Sequence, residues 1–186
     1  MALKEIYKEA DERMLKSIEH VQYELTRIRT GRATPTLLDV VKVEYYGSKV
    51  PLNQVATITA PEPRLLVVQP WEKRIIADIE KAIFQSDLGL NPANDGSVVR
   101  IPIPELSEER RQELLKLVKR YCEEGRVSIR NVRRDMNDNI KKLEKDHEIS
   151  EDQSHDALNQ IQELTDKHIE EIQQLYERKE KEILED

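Results

Sequence analysis

All eight prolines of this 186-residue chain, from Pro35 to Pro104, lie between residues 31 and 104, together with four of its five glycines. Proline removes a backbone donor and clashes with the preceding helical turn, so long helices avoid it. The chain is thereby cut into two helix-permissive flanks, 1–30 and 105–186, around a turn-rich middle of 74 residues. With 38% hydrophobic against 36% charged residues and 4% aromatics, there is little material for one thick core. Thin amphipathic layers are expected instead.

The flanks carry helical stripes. In the first, Leu3, Ile6, Ala10, Met14, Ile18, Val21, Leu25 and Ile28 recur in steps of three and four, and Thr30-Gly31 stops the pattern. A second long helix is expected after Pro104, with Ser107 as its N-cap and a seam of Leu114, Val118, Tyr121, Gly125, Ile129, Val132, Met136, Ile140 and Leu143. The pattern slips near 146–149. Ser150 and Gln153 then make a capping box for a third helix, whose stripe runs through Leu158, Ile161, Leu164, Ile169, Ile172, Leu175 and Ile183, with Thr165 and His168 interrupting it. Three such helices can bury their stripes only against one another, giving a long antiparallel three-helix bundle.

The middle reads as a small β/α/β domain. Val41, Val43 and Tyr45 alternate with polar neighbours ahead of a turn at Gly47-Ser48, and 55–60 and 64–69 are further strands. Trp71, Ile75, Ile76, Ile79 and Ile83 return to helical spacing, with Trp71 expected in the core. Strand 98–103 contains Pro102 and is followed by Pro104, so it is expected at a sheet edge or exit. The fold class is therefore α+β with two domains: a discontinuous bundle, 1–30 plus 105–186, and an insert, 31–104. Two stretches of chain, 30–32 and 102–105, connect them, so Thr30, Gly31, Arg32, Pro102, Pro104 and Glu105 form an expected hinge.

The formal charge of −7 would by itself argue against a nucleic-acid partner. Its distribution argues otherwise. Segments 1–30 and 31–104 are neutral, 105–147 carries +2 and 148–186 carries −9. Between residues 110 and 134 there are nine Lys and Arg against three Glu, and 125–134 holds four arginines and no acid. At about 100° per residue, with Gly125 facing the core, Arg133, Arg126, Arg130 and Arg134 fall at roughly 80°, 100°, 140° and 180°. They form one ridge, which Lys119 and Lys141 extend. Arg29, Arg32, Arg110 and Arg111 supply a second basic cluster. Arginine's planar fork suits phosphate, and a ridge on a stiff helix suits structured RNA read by shape. The competing reading pairs the ridge with acids of the first and third helices, or with an acidic helical partner, as in an adaptor or structural protein.

Catalytic and metal signatures are absent. The lone Cys122 excludes a disulfide framework and reads as a small buried hydrophobe beside Tyr121. His20, His147, His155 and His168 have no ligand spacing, so no metal and no cofactor is expected. No G-x-S-x-G, Walker A or G-x-G-x-x-G pattern occurs. The longest aliphatic run is Leu65–Val68, so no membrane span is expected, and the first residues read as neither signal nor transit peptide, which implies a cytoplasmic protein.

The segments IRTGRATP (28–35), VEYYGS (43–48), PLNQVATITAPEPR (51–64), EKAI (80–83), SDLGLNP (86–92), PELSEERR (104–111) and IRNVRRD (129–135) closely resemble the ribosome recycling factor family, in its bacterial form. The resemblance implies an L-shaped pair of domains with a transfer-RNA-like outline. It implies a non-enzymatic factor, expected as a monomer, that binds large-subunit ribosomal RNA of the post-termination ribosome through its bundle. With elongation factor G and GTP hydrolysis, such a factor splits the ribosome into subunits. The family's bundle arginines match Arg130 and Arg133, and its hinge segments match 30–32 and 102–105. The inserted domain is expected to swing and to face elongation factor G.

Overall fold

The proline-free flanks form three long helices. In the computed structural model, which describes residues 2–185, these are α1 (Ala2–Arg27), α3 (Glu108–Lys145) and α4 (Glu151–Leu184). They make one compact unit, and residues Thr30–Ser107 make a second.

In the helical unit, α1 buries Ile6, Ala10, Met14, Ile18, Val21 and Leu25, the stripe expected from its spacing. The seam of α3 is Leu114, Val118, Cys122, Gly125, Ile129, Val132, Met136 and Ile140. Cys122, not Tyr121, fills the central position, because steps of four from Leu114 lead to it. Tyr121 stays half-buried with the Arg120 guanidinium 5.2 Å from its ring centroid. The centre of α4 also differs from expectation. Ser154, Ala157, Ile161, Thr165, His168 and Ile172 are buried, and Leu158, Leu164 and Ile169 flank them. Of the three buried polar side chains there, Thr165 and His168 each have a partner, whereas the Ser154 hydroxyl has none among the described residues. Thr165 Oγ1 donates to the Ile161 carbonyl at 2.7 Å, and His168 Nε2 donates to Asp11 Oδ1 of α1 at 2.8 Å.

The turn between α3 and α4 explains the slip at 146–149. His147 adopts φ +57, its N–H reaches the Glu144 carbonyl at 3.0 Å, and the Glu148 N–H reaches Leu143 at 2.9 Å. This is a Schellman closure, here with histidine in the left-handed position. The capping box follows: Gln153 N–H donates to Ser150 Oγ at 3.2 Å, and Ser150 N–H donates to Gln153 Oε1 at 3.0 Å. α3 thus runs antiparallel to both α1 and α4.

In the second unit, β1 (Lys42–Tyr45) and β2 (Ser48–Pro51) form a hairpin, with Tyr46 at φ +47 and Gly47 at φ +78 as its two loop residues. The turn sits one residue earlier than expected, since a tight loop of this twist needs two consecutive positive φ values. A four-stranded antiparallel sheet runs in the order β3 (Ala56–Glu62), β4 (Leu65–Pro70), β6 (Val99–Pro102), β5 (Ala93–Asn94). β6 is therefore interior, not an edge. Its neighbour β5 is so short that it pairs only with Val99 and Arg100, so Pro102 faces Leu65 of β4 and nothing on the other side. Helix α2 (Ile76–Phe84) contributes Ile79 and Ile83 to a core with Leu38, Val43, Leu52, Leu66, Val68, Val99 and Ile101.

Trp71 is not in this core. It precedes the helix, is 66% exposed, and its indole N–H donates to Thr57 Oγ1 of β3 at 3.1 Å. Its backbone N–H, bonded to the Val55 carbonyl, holds the residue at the end of β4 instead of in α2.

At Gly125 the three helices are in close contact. A Cβ there would overlap Val21 Cγ2 and lie 2.9 Å from Ile172 Cδ1. Gly125→Ala gains about 1 kcal/mol of helix propensity but forces a stiff β-branched side chain aside. A net loss of about 1–2 kcal/mol is expected. Urea unfolding measures it, with Val21→Ala restoring part of the loss; a more stable Gly125→Ala protein would contradict the packing described.

Candidate nucleic-acid interface

The direction in which Gly125 faces fixes the azimuth of every other residue on α3. Toward α1, Ser128 Oγ lies 2.8 Å from Ser17 Oγ, and Asp135 accepts from Arg13 at 2.6 Å. Toward α4, Arg126 Nη2 donates to Gln173 Oε1 at 2.7 Å and Arg133 Nη1 donates to Gln162 Oε1 at 3.2 Å. Arg126, Arg130 and Arg133 are half-buried, and Arg134 is exposed. The four arginines thus line the α4-side edge and outer face of α3, with Lys119 and Lys141 exposed beyond them.

The acidic charge of α4 does not neutralise this ridge by direct pairing. The α4 partners of Arg126 and Arg133 are the amide oxygens of Gln173 and Gln162. An amide orients a guanidinium without cancelling its charge. The carboxylate that does engage the ridge comes from α3 itself. Glu123 Oε1 accepts from Arg130 at 2.5 Å, and its Oε2 accepts from Arg126 at 3.3 Å. Arg130 foremost, then Arg126, holds the Glu123 carboxyl below its ordinary range. The arginine-rich stretch itself has no acid, but Glu123 sits two residues upstream and three and seven residues from its partners, on the same face. Helical spacing could have identified it. The glutamines, distant in sequence, could not be paired that way.

The second basic cluster is more dispersed. Arg29 is exposed just beyond α1, and Arg110, in the first turn of α3, pairs with Glu113 at 2.7 Å. Among the connector residues, Thr30 is buried and Gly31 adopts φ +81, a conformation glycine takes at little cost. Within the inserted unit both connectors are tied to the turn between β3 and β4. Ala33 N–H donates to the Pro63 carbonyl at 2.7 Å, Ile103 N–H donates to the Arg64 carbonyl at 2.8 Å, and Glu105 pairs with the Arg64 guanidinium. Pro102 ends β6, Pro104 and Glu105 follow it without regular structure, and Arg32 is exposed.

Among the described residues no group of three or more His, Cys, Asp or Glu is placed to hold a metal. His168 serves the α1–α4 contact. Cys122 is fully buried, and burial pushes its thiol up, opposite to what a nucleophile requires. An aromatic disulfide reagent should therefore leave Cys122 unmodified in the native protein and react once it is denatured. Prompt labelling in native buffer would contradict this packing.

Three comparisons place this geometry among known proteins. The family model described as ribosome recycling factor matches residues 21–184. The ribosome-recycling factor of Symbiobacterium thermophilum is 58% identical over 182 residues, covering 98% of both chains, and that of Carboxydothermus hydrogenoformans is 56% identical with the same coverage. A solution structure of a ribosome recycling factor superposes with a TM-score of 0.72 at 46% identity, covering 100% of this chain and 99% of the other. A second, of the T. thermophilus ribosome recycling factor, has a TM-score of 0.64 at 54% identity, covering 99% and 100%. That protein is placed together with E. coli elongation factor G on the E. coli post-termination complex.

Proposed function

Because the chain belongs to the ribosome recycling factor family, we propose that it binds the post-termination ribosome and, with elongation factor G and GTP hydrolysis, splits it into subunits for reuse. It is a translation factor and not an enzyme; the energy source belongs to the partner. No helix among the described residues is long and apolar enough to cross a membrane. As a factor that acts on ribosomes it works in the cytoplasm.

The observation that carries the anchoring half of this reading is the ridge Arg126, Arg130, Arg133 and Arg134. Three of its guanidinium groups are oriented by hydrogen bonds, two of them to uncharged glutamines. Such a row meets phosphates at the spacing of a stiff helix and reads backbone shape more than base sequence. Large-subunit ribosomal RNA is the proposed ligand, with Arg29 and Arg110 contributing at one end of the bundle. Net negative charge elsewhere limits indiscriminate sticking to RNA.

The second half concerns force. The anchored bundle acts as a wedge, and the inserted domain, facing elongation factor G, is pushed about its two connectors, Thr30–Arg32 and the stretch that leaves β6. The ties from Ala33, Ile103 and Glu105 to the Pro63-Arg64 turn support a pivot outside the sheet, in Thr30–Arg32 and in the residues after Glu105.

A splitting assay on post-termination ribosomes tests the whole. Subunits should appear only when the factor, elongation factor G and GTP are all present. Arg130→Ala and Arg133→Ala should each weaken large-subunit binding and lower the slope of log affinity against log salt by about 1. Inserting two glycines into each connector should spare binding and abolish splitting. Splitting at the normal rate with lengthened connectors would reject the lever. Subunit binding indifferent to both arginine substitutions would reject the RNA anchor, in favour of a protein-docking ridge.

A further inference from the structure

The Glu123 carboxylate divides its two oxygens between two cations: Oε1 takes Arg130 Nη2 at 2.5 Å and Oε2 takes Arg126 Nη1 at 3.3 Å. One oxyanion bridging two guanidinium groups, an oxygen to each, is also how that pair would hold the two non-bridging oxygens of a phosphodiester. We propose that Glu123 is an internal stand-in for phosphate, occupying the Arg126–Arg130 pair in the free protein and yielding it to a backbone phosphate of RNA. This rests on the reading of the ridge as an RNA anchor and adds a residue that opposes it.

The mobility of the three groups is unequal in the required sense. The Arg126 side chain is only 17% exposed, and its second terminal nitrogen is fixed by Gln173 of α4 at 2.7 Å. Glu123 is 52% exposed, and its hydrogen bonds are those two to arginine. Arg126 is therefore held in place by α4 while the acid is free to rotate away into water; Arg130, 39% exposed and bonded to Glu123, is left on the surface to follow the incoming oxyanion. An exposed ion pair of this kind contributes little, so surrendering it costs little. Both arginine contacts hold the carboxyl below its ordinary range, so it remains charged throughout neutral pH.

Two consequences follow. The pair is kept apart at a spacing an oxyanion can bridge, so less ordering is needed when RNA arrives. A weakly held polyanion must also compete with a carboxylate already in place, which favours a ligand that engages several ridge arginines at once over stray RNA. The acid exchanges raw affinity for discrimination.

The test compares Glu123→Gln with Glu124→Gln. Glu124 is the adjacent acid, paired with Arg120 at 3.7 Å, and its loss changes the net charge equally. Both positions are exposed, and unchanged thermal unfolding will establish that each variant is folded. Binding is measured to isolated large ribosomal subunits and to a random-sequence RNA duplex, over a range of salt. Glu123→Gln should bind subunits about two- to fivefold tighter, the range expected for freeing an exposed ion pair. Its gain on the duplex should be at least as large, with a steeper salt slope, while Glu124→Gln changes less than twofold. Glu123→Gln binding no tighter than wild type, or no tighter than Glu124→Gln, overturns the proposal. If Arg130→Ala weakens subunit binding in the same series, the RNA-anchor reading survives that failure. If Arg130→Ala has no effect either, both fall together.

Discussion

At Gly125 three helices approach so closely that there is no room for a methyl group against Val21 and Ile172. That contact sets the rotation of α3, and the rotation decides where everything else on the helix faces. Residues one, five, eight and nine positions further on are carried to the α4 edge and the outer face, and all four are arginine. Were α3 turned by half a revolution, the arginines would be buried and the seam exposed. A glycine that weakens the isolated helix thus fixes the presentation of the basic ridge. The thin core around it, built from aliphatic side chains with Cys122, Thr165 and His168 in place of bulkier residues, is what lets three long helices lie this close.

The inserted unit depends on a different device. Its chain enters and leaves through segments that both bond to the Pro63-Arg64 turn, so the two connectors start from one fixed point on the sheet. Pro102 and Pro104 then stop the second connector from extending the ladder. A small core between one sheet face and α2 holds the unit together by itself.

Much of this was legible from the chain. The proline partition separated the two units, the three-and-four spacing located α1 and most of α3, and Ser150 with Gln153 marked the start of α4. The parts that were not legible depend on tertiary pairing. Thr165 and His168 look like interruptions until a same-helix carbonyl and Asp11 are seen to satisfy them. Pro102 points to an edge strand, yet β6 is interior and the proline is tolerated because β5 is too short to reach it. Trp71 has a hydrophobe's composition but no helix beneath it. At the ridge, the arginines and their azimuth were readable, whereas the glutamines that aim two of them belong to another helix. Glu123 lay within reach of the same angular argument and escaped it because it sits just outside the arginine-rich stretch.

Mean charge was the least informative quantity of all, since −7 conceals a +6 stretch on α3 within a chain whose excess acid lies on α4 and its approach. The proposed RNA anchor requires that the α3 ridge, and not the outer face of α4, lies against ribosomal RNA. The direct measurement is local cleavage of ribosomal RNA from an iron chelate tethered to a single cysteine, with buried Cys122 silent. One tether is placed on the ridge by Val127→Cys and another on the outer face of α4 by Glu163→Cys. The ridge tether should cut large-subunit RNA strongly and the α4 tether weakly or not at all. Equal cutting from both positions, or none from the ridge, would contradict the account.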